Sequence, residues 1–283
     1  MIKVKIAGKI NLSLRVLGVK GNFHELDMAT SSVNIFDEVA ISPSKTTSCN
    51  LTDLIPQEKN TAYIAANLFA ETFNTPCVDI KITKNIPLMA GLGGSSADAA
   101  GVIFGMMNLF DIKNQSKCVE LARRVGSDVP LMLQGGFQKV GGTGEVVSSI
   151  NSNLKFNVLT VIGCDGNSAK SVYEEFDKQK TIEKSGGGKI FKAMEENNYT
   201  EAVECFFNDL QAAAIIVNPK IQDTLDFLKK VGARKSIVYG SGSACGGIFD
   251  DEEQMREIER RYSDKFKFIK GLQTINKGIY IEK

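Results

Sequence analysis

Long hydrophobic runs are missing from this sequence of 283 residues. Its longest apolar run, Ala212–Val217, is far shorter than the roughly 20 residues that a membrane-spanning helix needs. The first residues, Met1–Leu14, alternate charged and apolar side chains and lack the continuous apolar stretch of a signal peptide. These two absences predict a cytoplasmic protein with no membrane partner.

Metal-binding and disulfide patterns are missing as well. The sequence has one histidine, and its six cysteines are scattered without a CxxC pair. Zinc sites and disulfide frameworks require cysteines and histidines at characteristic spacings. We therefore expect the cysteines to be buried free thiols in a reducing cytosol.

The sequence also lacks an excess of charge of either sign. Lysine and arginine together number 34, aspartate and glutamate number 33, and no run of basic residues occurs. A nucleic-acid partner is therefore not expected. The composition, 43% hydrophobic and 24% charged, is typical of a globular protein, and the length suits two domains.

What the sequence does contain is a mixture of strand and helix patterns. Alternation with a period of two runs from Lys3 to about Ser42 and predicts several successive strands. A helix is predicted over Asn60–Phe73, with one apolar stripe formed by Tyr63, Ala66, Ala70 and Phe73. A second helix, after a glycine-rich loop, has a predicted inner face of Ala99, Val102, Ile103, Met106 and Phe110.

Later segments continue this mixture. A helix is expected to end near Gly126, a strand covers Asn157–Ile162, and several helices fill Lys189–Val231. Polar Asn151–Asn153 is the expected domain junction, which divides the chain into domains 1–153 and 154–283. Because helices and strands mix without strict βαβ alternation, the predicted fold class is α+β in two domains.

The strongest chemical signal is the segment PLMAGLGGSSADAA, Pro87–Ala100. Its glycines let backbone N–H groups approach a phosphate, and the start of the following helix carries partial positive charge. Ser95 and Ser96 are placed to cap that helix or to donate to phosphate oxygens and Mg²⁺ ligands. The alternative is an ordinary strand–helix turn in which Ser95 is the cap and Asp98 completes a capping box.

Two better-known glycine motifs do not fit this loop. A Walker A loop needs lysine followed by serine or threonine after its second glycine, and neither follows here. A dinucleotide-binding fingerprint needs a first βα turn and an acidic residue at the end of the next strand. Here the loop follows several strands and Asp111 follows a helix, so dinucleotide binding is the weaker interpretation.

Three further segments are weaker signals. Gly126–Pro130 contains an aspartate between glycine and proline, which is usually a turn or cap residue. Tyr239–Phe249 predicts either a nest of N–H groups or a tight hairpin. In Ile6–Leu14, Lys9 and Asn11 interrupt a buried pattern, which is costly unless they have partners, although an edge strand would explain them equally well.

Together these segments resemble the GHMP kinase superfamily. Pro87 and Gly91–Ala97 are similar to its phosphate-loop motif, and Gly240–Ala244 is similar to its C-terminal glycine motif. Within the superfamily, the chain most resembles the family of 4-diphosphocytidyl-2-C-methyl-D-erythritol kinases, which act in non-mevalonate isoprenoid synthesis. The segments that carry this resemblance are Lys9–Leu12, Phe23–Leu26, Gly126–Pro130, Ser171–Tyr173, Asn208–Leu210 and Asn218–Pro219.

The resemblance implies a fold and a reaction. It implies an N-terminal domain of the ribosomal protein S5 domain 2 type, a ferredoxin-like C-terminal domain, and a site in the cleft. The implied reaction is ATP- and Mg²⁺-dependent phosphorylation of the 2-hydroxyl of the cytidyl substrate by a monomer or homodimer. Such phosphoryl transfer relies on positioning and charge neutralisation more than on covalent chemistry.

The resemblance also implies roles for individual residues. Asp128 would accept the substrate hydroxyl proton, and Lys9 would keep Asp128 ionised and stabilise developing charge. ATP would be held by Pro87, Ala90, Gly91, Leu92, Gly93, Gly94, Ser95, Ser96 and Ala97, with Asn60 and Lys84 as weaker candidates. The substrate would contact Asn11, Phe23, His24, Tyr173, Gly240, Ser241 and Gly242.

Within the substrate set, Phe23 and Tyr173 would stack on the two faces of the cytosine, and His24 would read its edge. Core packing of these aromatic residues is the structural alternative, as is a merely structural pairing of Lys9 with Asp128. The competing functions are a GHMP kinase for another small alcohol, such as homoserine or a mevalonate derivative, and a non-catalytic binding protein. Phe23, His24 and Tyr173 disfavour the first, and retention of Lys9 and Asp128 disfavours the second.

Overall fold

The computed structural model describes residues 1–21, 23–51, 55–179 and 187–282. Helices and strands are mixed along the chain without regular βαβ alternation, as expected for the α+β class. Among these residues, no helix combines the length and apolar character needed to cross a membrane.

Two long antiparallel strands, β1 (Ile2–Lys20) and β2 (Phe23–Ser44), organise the N-terminal half. They pair along almost their whole length, with register shifts after Ala7, Asn11 and Val16. The sequence predicts several successive strands over Lys3–Ser42, whereas the structure has two long ones, because a period-two pattern does not show that a strand continues through a bulge.

The remaining elements of this half pack around the hairpin. Four shorter strands follow, namely β3 (Ser48–Cys49), β4 (Cys77–Thr83), β5 (Phe137–Gly142) and β6 (Val146–Ser149). The helices are α1 (Thr61–Phe73), α2 (Gly94–Leu109), α3 (Gln115–Val125) and α4 (Val129–Gln134), with a 3₁₀ turn at Gln57–Lys59. Strands β4 and β5 both pair with β2, so β2 is the central strand of this sheet.

The two predicted helical faces had different outcomes. The inner face of α2 is confirmed, since Ala99, Val102, Ile103 and Met106 are fully buried, while Phe110 caps the helix and is half-buried. The predicted stripe of α1 is mostly wrong: its buried residues are Ala62, Ala65, Ala66 and Phe69. Helix α1 is apolar on more than one side, so periodicity alone does not select the face that packs.

The C-terminal half contains a second antiparallel group of strands. Its elements are β7 (Asn157–Ile162), α5 (Ala169–Lys178), α6 (Gly187–Glu195), α7 (Tyr199–Glu204), β8 (Phe207–Asn208), α8 (Gln211–Val217), α9 (Lys220–Lys230), β9 (Lys235–Val238), β10 (Cys245–Phe249), α10 (Glu252–Tyr262), β11 (Phe268–Ile275) and β12 (Ile279–Glu282). Strands β9, β10, β7 and β11 lie side by side in that order.

The last two strands join the two halves. Strand β11 pairs with β7 over most of its length, and its end pairs with β2 through Thr274 and Ile275. Strand β12 then pairs with β1. The expected junction at Asn151–Asn153 lies between β6 and β7, and the domain boundary placed there stays a prediction.

All six cysteines are free thiols, as predicted. Four of them are buried, whereas Cys77 and Cys205 are only half-buried. Burial of the thiol raises the pKa of Cys49, Cys118 and Cys205, which favours the protonated form of these side chains.

The strand junction generates a stability prediction. The Thr274 hydroxyl oxygen accepts a hydrogen bond of 2.9 Å from the buried backbone N–H of Phe156, at the point where β11 reaches β2. Thr274→Val keeps the shape of the side chain but leaves that N–H unpaired, so we expect it to lower the free energy of unfolding by about 1–3 kcal/mol. Urea denaturation measures the change, with Thr83→Val on the exposed face of β4 as the matched control. Equal stability of the two variants would contradict the prediction.

Candidate active site

A cleft of about 1130 Å³ is lined by residues from both halves of the chain. Strand β1 and helix α2 contribute one wall, and α5 and the turn after β9 contribute the other. The predicted site residues that line it are Lys9, Asn11, Phe23, His24, Ala90, Gly91, Gly93, Gly94, Ser95, Ser96, Asp128, Tyr173, Gly240 and Ser241.

The other predicted residues lie outside the cleft wall. Leu92 and Ala97 are fully buried beneath the glycine loop, and Pro87 and Gly242 lie in the two glycine-containing turns without lining the cleft. Asn60 is the N-cap of α1, where its side chain accepts a hydrogen bond from the N–H of Ala62. These contacts account for Asn60 structurally, without a nucleotide.

The polar residues on β1 are buried and paired. The ammonium of Lys9 donates to Asn11 Oδ1 at 2.8 Å and lies 3.6 Å from Asp128 Oδ2. Asn11 in turn donates to the sulfur of Met28 at 3.4 Å. On the side of β1 away from β2, the described strands β12 and β8 pair with Lys3–Ile6 and with Ser13 and Leu14, so the Lys9 N–H donates to the loop carbonyl of Leu92 instead of to a strand. The edge-strand explanation therefore holds for this stretch of β1, yet both side chains are buried and paired with neighbours.

Asp128 is positioned by a short helix that periodicity did not reveal. It occupies the N-cap position of α4, with Pro130 in the first turn, but its side chain makes no capping hydrogen bond. Its carboxylate is 34% exposed, whereas the Lys9 side chain beside it is 10% exposed. The pair thus combines a fixed, buried cation with an acid that the cleft can reach.

The glycine loop is shaped by close backbone contacts. Gly91 and Gly93 have φ values of +76° and +73°, which favour glycine. A Cβ at Gly91 would lie 2.7 Å from the carbonyl oxygen of Tyr239, and one at Gly93 would lie 3.1 Å from Lys9 Cγ. The loop backbone therefore passes directly over the lysine of β1.

Helix α2 starts from this loop without a side-chain cap. Its N-cap is Gly93 and its first residue is Gly94, so the alternative interpretation, a capping box of Ser95 and Asp98, is wrong. The first N–H groups of a helix have no partner within the helix, and together they attract an anion. Ser95 and Ser96 follow at positions that line the cleft. The loop therefore fits a phosphate chain such as that of ATP.

A buried charged cluster lies beneath the loop. Lys84 contacts Asp37 and donates to Asp98 Oδ2 at 2.7 Å. Asp37 is fully buried and also accepts backbone N–H groups of Asn85 and Ile86 at 2.6 and 2.8 Å. Lys84 is thus a partner of two carboxylates, and Asp98 belongs to this cluster instead of to a cap.

The opposite end of the cleft carries the predicted aromatic residues. The rings of His24 and Tyr173 are stacked, with centroids 4.4 Å apart and an angle of 24° between planes. Burial, and secondarily the charge of Asp128, raises the pKa of Tyr173 to about 12, so the phenol stays neutral. Phe23 is 67% exposed and has no ring contact with another described residue.

The C-terminal glycine turn is held by two asparagines outside the motif. Asn208 donates to the carbonyl groups of Val238 and Gly240, both at 2.8 Å, and Asn167 donates to that of Ser241 at 3.0 Å. Side-chain donors from β8 and from the segment before α5 thus hold the backbone of this turn. Asn208 was noted in the sequence as part of a resemblance, but nothing local indicated what it would bind.

Several contributing residues were not predicted. Asp37 supports the loop, Thr61 donates to the carbonyl of Ser95 at 2.7 Å, and Asp177 lies 2.7 Å from His24 Nε2. Asp177 could have been found, because it is four residues after Tyr173 on the same helix. The contacts of Asp37 and Thr61 depend on the tertiary fold and have no local signal.

The described residues provide no cluster of three or more histidine, cysteine, aspartate or glutamate side chains for a metal ion. Mg²⁺ typically binds through one or two carboxylates together with substrate phosphates and water. The hydroxyl groups of Ser95 and Ser96 and the carboxylate of Asp128 line the cleft and match that hard-oxygen chemistry. This donor set fits a magnesium ion that arrives with a nucleotide.

Comparisons with known proteins find relatives over most of the chain. The family model "GHMP kinases N terminal domain" matches residues 60–136, and "GHMP kinases C terminal" matches residues 181–267. The 4-diphosphocytidyl-2-C-methyl-D-erythritol kinase of Caldicellulosiruptor saccharolyticus is 35% identical over 253 residues, which cover 87% of each chain. The kinase of that name from Clostridium tetani is 31% identical over 97% of this chain and 100% of its own.

Solved structures show the same fold. A crystal structure of 4-(cytidine 5'-diphospho)-2C-methyl-D-erythritol kinase has a TM-score of 0.81 at 23% identity, covering 96% of this chain and 99% of its own. Homoserine kinase from Cytophaga hutchinsonii has a TM-score of 0.76 at 18% identity, covering 99% and 97%. The predicted GHMP kinase fold is confirmed.

The buried cluster generates a prediction about pH. Burial and the nearby Asp37 carboxylate raise the pKa of Asp98 from 3.8 to about 8, although Lys84 opposes the shift. The folded state therefore binds this proton more tightly than the unfolded chain does, and its stabilising effect is lost as pH rises from about 4 to about 8. Asp98→Asn cannot ionise and should flatten this loss, by up to roughly 1.4 kcal/mol per pH unit.

Urea unfolding of the wild type and the variant across that pH range measures the slopes. Asp226→Asn, on the exposed surface of α9, is the matched control and should keep the wild-type slope. If Asp98→Asn also kept the wild-type slope, Asp98 would not be the group that titrates.

Proposed function

Because the chain belongs to the GHMP kinases, and within them to the family of 4-diphosphocytidyl-2-C-methyl-D-erythritol kinases, we propose that it transfers the terminal phosphoryl group of ATP to the 2-hydroxyl of that substrate. The observation that supports this most directly is the Lys9–Asp128 pair, 3.6 Å apart in the cleft and directly beside the glycine loop. A loop that receives phosphates and an acid that receives a proton are the two requirements of a kinase for alcohols.

Asp128 acts on the acceptor hydroxyl in this proposal. Its carboxylate accepts the hydroxyl proton as the oxygen forms its bond to the γ-phosphorus, and the bond from that phosphorus to the β-phosphate oxygen breaks. The proton is carried away on Asp128, and ADP is the leaving group. Lys9, beside Asp128, stabilises the negative charge of the transferring group.

The glycine loop holds the nucleotide. The backbone N–H groups at the start of α2 bind the phosphate chain, and Ser95 and Ser96 add hydroxyl donors. Mg²⁺, when bound with the nucleotide, neutralises phosphate charge, and Ser95, Ser96 and Asp128 are the residues placed to hold it. Lys84 supports the loop from below through Asp37 and Asp98.

The far end of the cleft holds the cytidyl group. Phe23 and Tyr173 offer ring faces for stacking, and His24 meets the edge of the base. Asn11, Gly240 and Ser241 also line the cleft and contact the substrate in this proposal, and Gly242 shapes the turn that presents them. Two domains, 1–153 and 154–283, form the cleft, and the six free thiols favour a cytoplasmic enzyme.

The proposed function is tested by ADP release from purified protein with four alcohols. We expect turnover with 4-diphosphocytidyl-2-C-methyl-D-erythritol and little with homoserine, mevalonate or phosphomevalonate. Preferred turnover of one of the other three would replace the proposed substrate while keeping the kinase. Failure with all four, in protein that binds ATP, would favour a non-catalytic binding protein.

Replacement of the proton acceptor should remove turnover without unfolding the protein. Asp128→Asn should lower kcat by about 10²–10⁴-fold, the effect typical of losing a proton-transfer group. The fold should persist because Asp128 makes no capping hydrogen bond. Lys9→Met should also lower kcat, and Asp250→Asn, at a surface pair with Arg234, serves as control. Near-normal kcat in folded Asp128→Asn would exclude Asp128 as the acceptor.

A side chain in the glycine loop should prevent nucleotide binding. Gly93→Ala adds a Cβ against Lys9 and Met132 at a φ of +73°, so the loop must move. We expect calorimetric titration with a non-hydrolysable ATP analogue and Mg²⁺ to detect no binding. Gly18→Ala, whose added Cβ would have no neighbour within 4 Å, should bind normally. Unchanged affinity in Gly93→Ala would locate the nucleotide elsewhere.

A further inference from the structure

His24, the single histidine of the chain, is held on three sides. Its side chain is 15% exposed, one ring face stacks on Tyr173, and its ring meets Phe176 edge-on with centroids 6.5 Å apart. Its Nε2 atom lies 2.7 Å from Asp177 Oδ1. These contacts fix the plane of the imidazole and the direction of both ring nitrogens.

The contact with Asp177 determines where the ring hydrogen lies. An ionised carboxylate only accepts hydrogen bonds, so Nε2 must carry the hydrogen and donate it. In the neutral imidazole, Nδ1 then has a free lone pair and is an acceptor. Among the described residues Nδ1 has no hydrogen-bond partner, and His24 lines the cleft. The ring therefore offers an acceptor to a ligand.

We propose that Asp177 is a specificity-determining positioning residue that holds His24 in the Nε2–H form, so that Nδ1 accepts a hydrogen bond from the amino group of a cytosine. Uracil has a carbonyl oxygen at that position, which is itself an acceptor and would face the Nδ1 lone pair. The inference rests on the proposed cytidyl substrate. It deepens that proposal by naming the group that distinguishes cytosine from uracil.

The geometry leaves room for a base beside the imidazole. A centroid separation of 4.4 Å exceeds the about 3.5 Å of direct ring contact, so the two rings are offset and part of the Tyr173 face is uncovered. A base in the plane of the imidazole would lie on that uncovered part while its edge meets Nδ1. Phe23, exposed and adjacent to His24 in sequence, is placed to cover the other face of the base.

The carboxylate of Asp177 pairs with the imidazole of His24. Within the described part of the chain, its only ion-pair contact is with His24. The nearby lysines of α5 have other partners, since Lys178 pairs with Glu175 and Lys170 with Glu174. Tyr173 and Asp177 are four residues apart, so one face of α5 supplies both the stacking surface and the residue that orients His24.

Nitrogen NMR of ¹⁵N-histidine-labelled protein reads the position of the hydrogen directly. Because the chain has one histidine, the two ring signals need no assignment by mutation. At neutral pH we expect a protonated Nε2 and an unprotonated Nδ1 in the wild type, and a mixture of both forms in Asp177→Asn and Asp177→Ala. Glu175→Gln, on the same helix, should match the wild type. Wild-type protein protonated on Nδ1, or on both nitrogens, would overturn the proposal.

Calorimetric binding of CMP and UMP tests the consequence. The wild type and Glu175→Gln should prefer CMP, and both Asp177 variants should lose about 5- to 10-fold of that preference, the size expected for one hydrogen bond. Affinity for the ATP analogue should stay unchanged. An undiminished CMP preference in folded Asp177 variants would overturn the role of Asp177 and leave the proposed function intact. Wild-type protein that neither binds CMP nor phosphorylates the cytidyl substrate would overturn the proposed function. The proposed recognition of cytosine by His24 would then be wrong as well.

Discussion

A single buried ammonium group constrains the geometry around the phosphate loop. Lys84 lies immediately after β4 and contacts Asp37 on β2 and Asp98 on α2. Asp37 also receives two backbone N–H groups from the chain that leads into the loop. Because a buried charge is costly unless it is paired, none of these groups can move alone. Both ends of the loop are therefore attached to the central strand.

Close packing contacts, instead of ion pairs, constrain the middle of the glycine loop. At Gly91 the backbone approaches the carbonyl oxygen of Tyr239, and at Gly93 it lies over Lys9, whose own N–H donates to the carbonyl of Leu92 at 2.9 Å. The glycine loop thus packs against Tyr239, the residue directly before the C-terminal glycine motif at Gly240–Ala244. The two motifs are distant in sequence. Gly91 and Gly93 must nevertheless be glycine, because a residue from another element lies against the backbone at each position.

Strong local patterns made much of this structure predictable. The inner face of α2 and the strand β7 follow from periodicity, and Lys9 was conspicuous because a polar residue interrupted a buried strand. Asp128 was found by motif, but the six-residue helix it precedes is too short to show a period. The alternative in which Ser95 caps α2 is wrong, since glycine also begins helices and the N-cap is Gly93. Asp37 and Thr61 act through tertiary contacts, so no local pattern identifies them, whereas the spacing of Asp177 from Tyr173 on one helix is a signal that the sequence carries.

The arrangement of charge across the cleft explains why its polar residues are tolerated in a packed sheet. Lys9 is buried but paired with Asn11 and Asp128, so the desolvation of its ammonium is compensated within the folded chain. Burial, and secondarily the charge of the same aspartate, raises the pKa of Tyr173 and keeps the phenol neutral, so it adds a stacking surface without another charge. A buried strand normally excludes lysine, and a sequence that breaks this rule must supply partners for the ammonium group. The partners of Lys9 are Asn11 and Asp128, and both also line the cleft. The buried lysine, which is unusual for a packed sheet, therefore lies at the candidate active site.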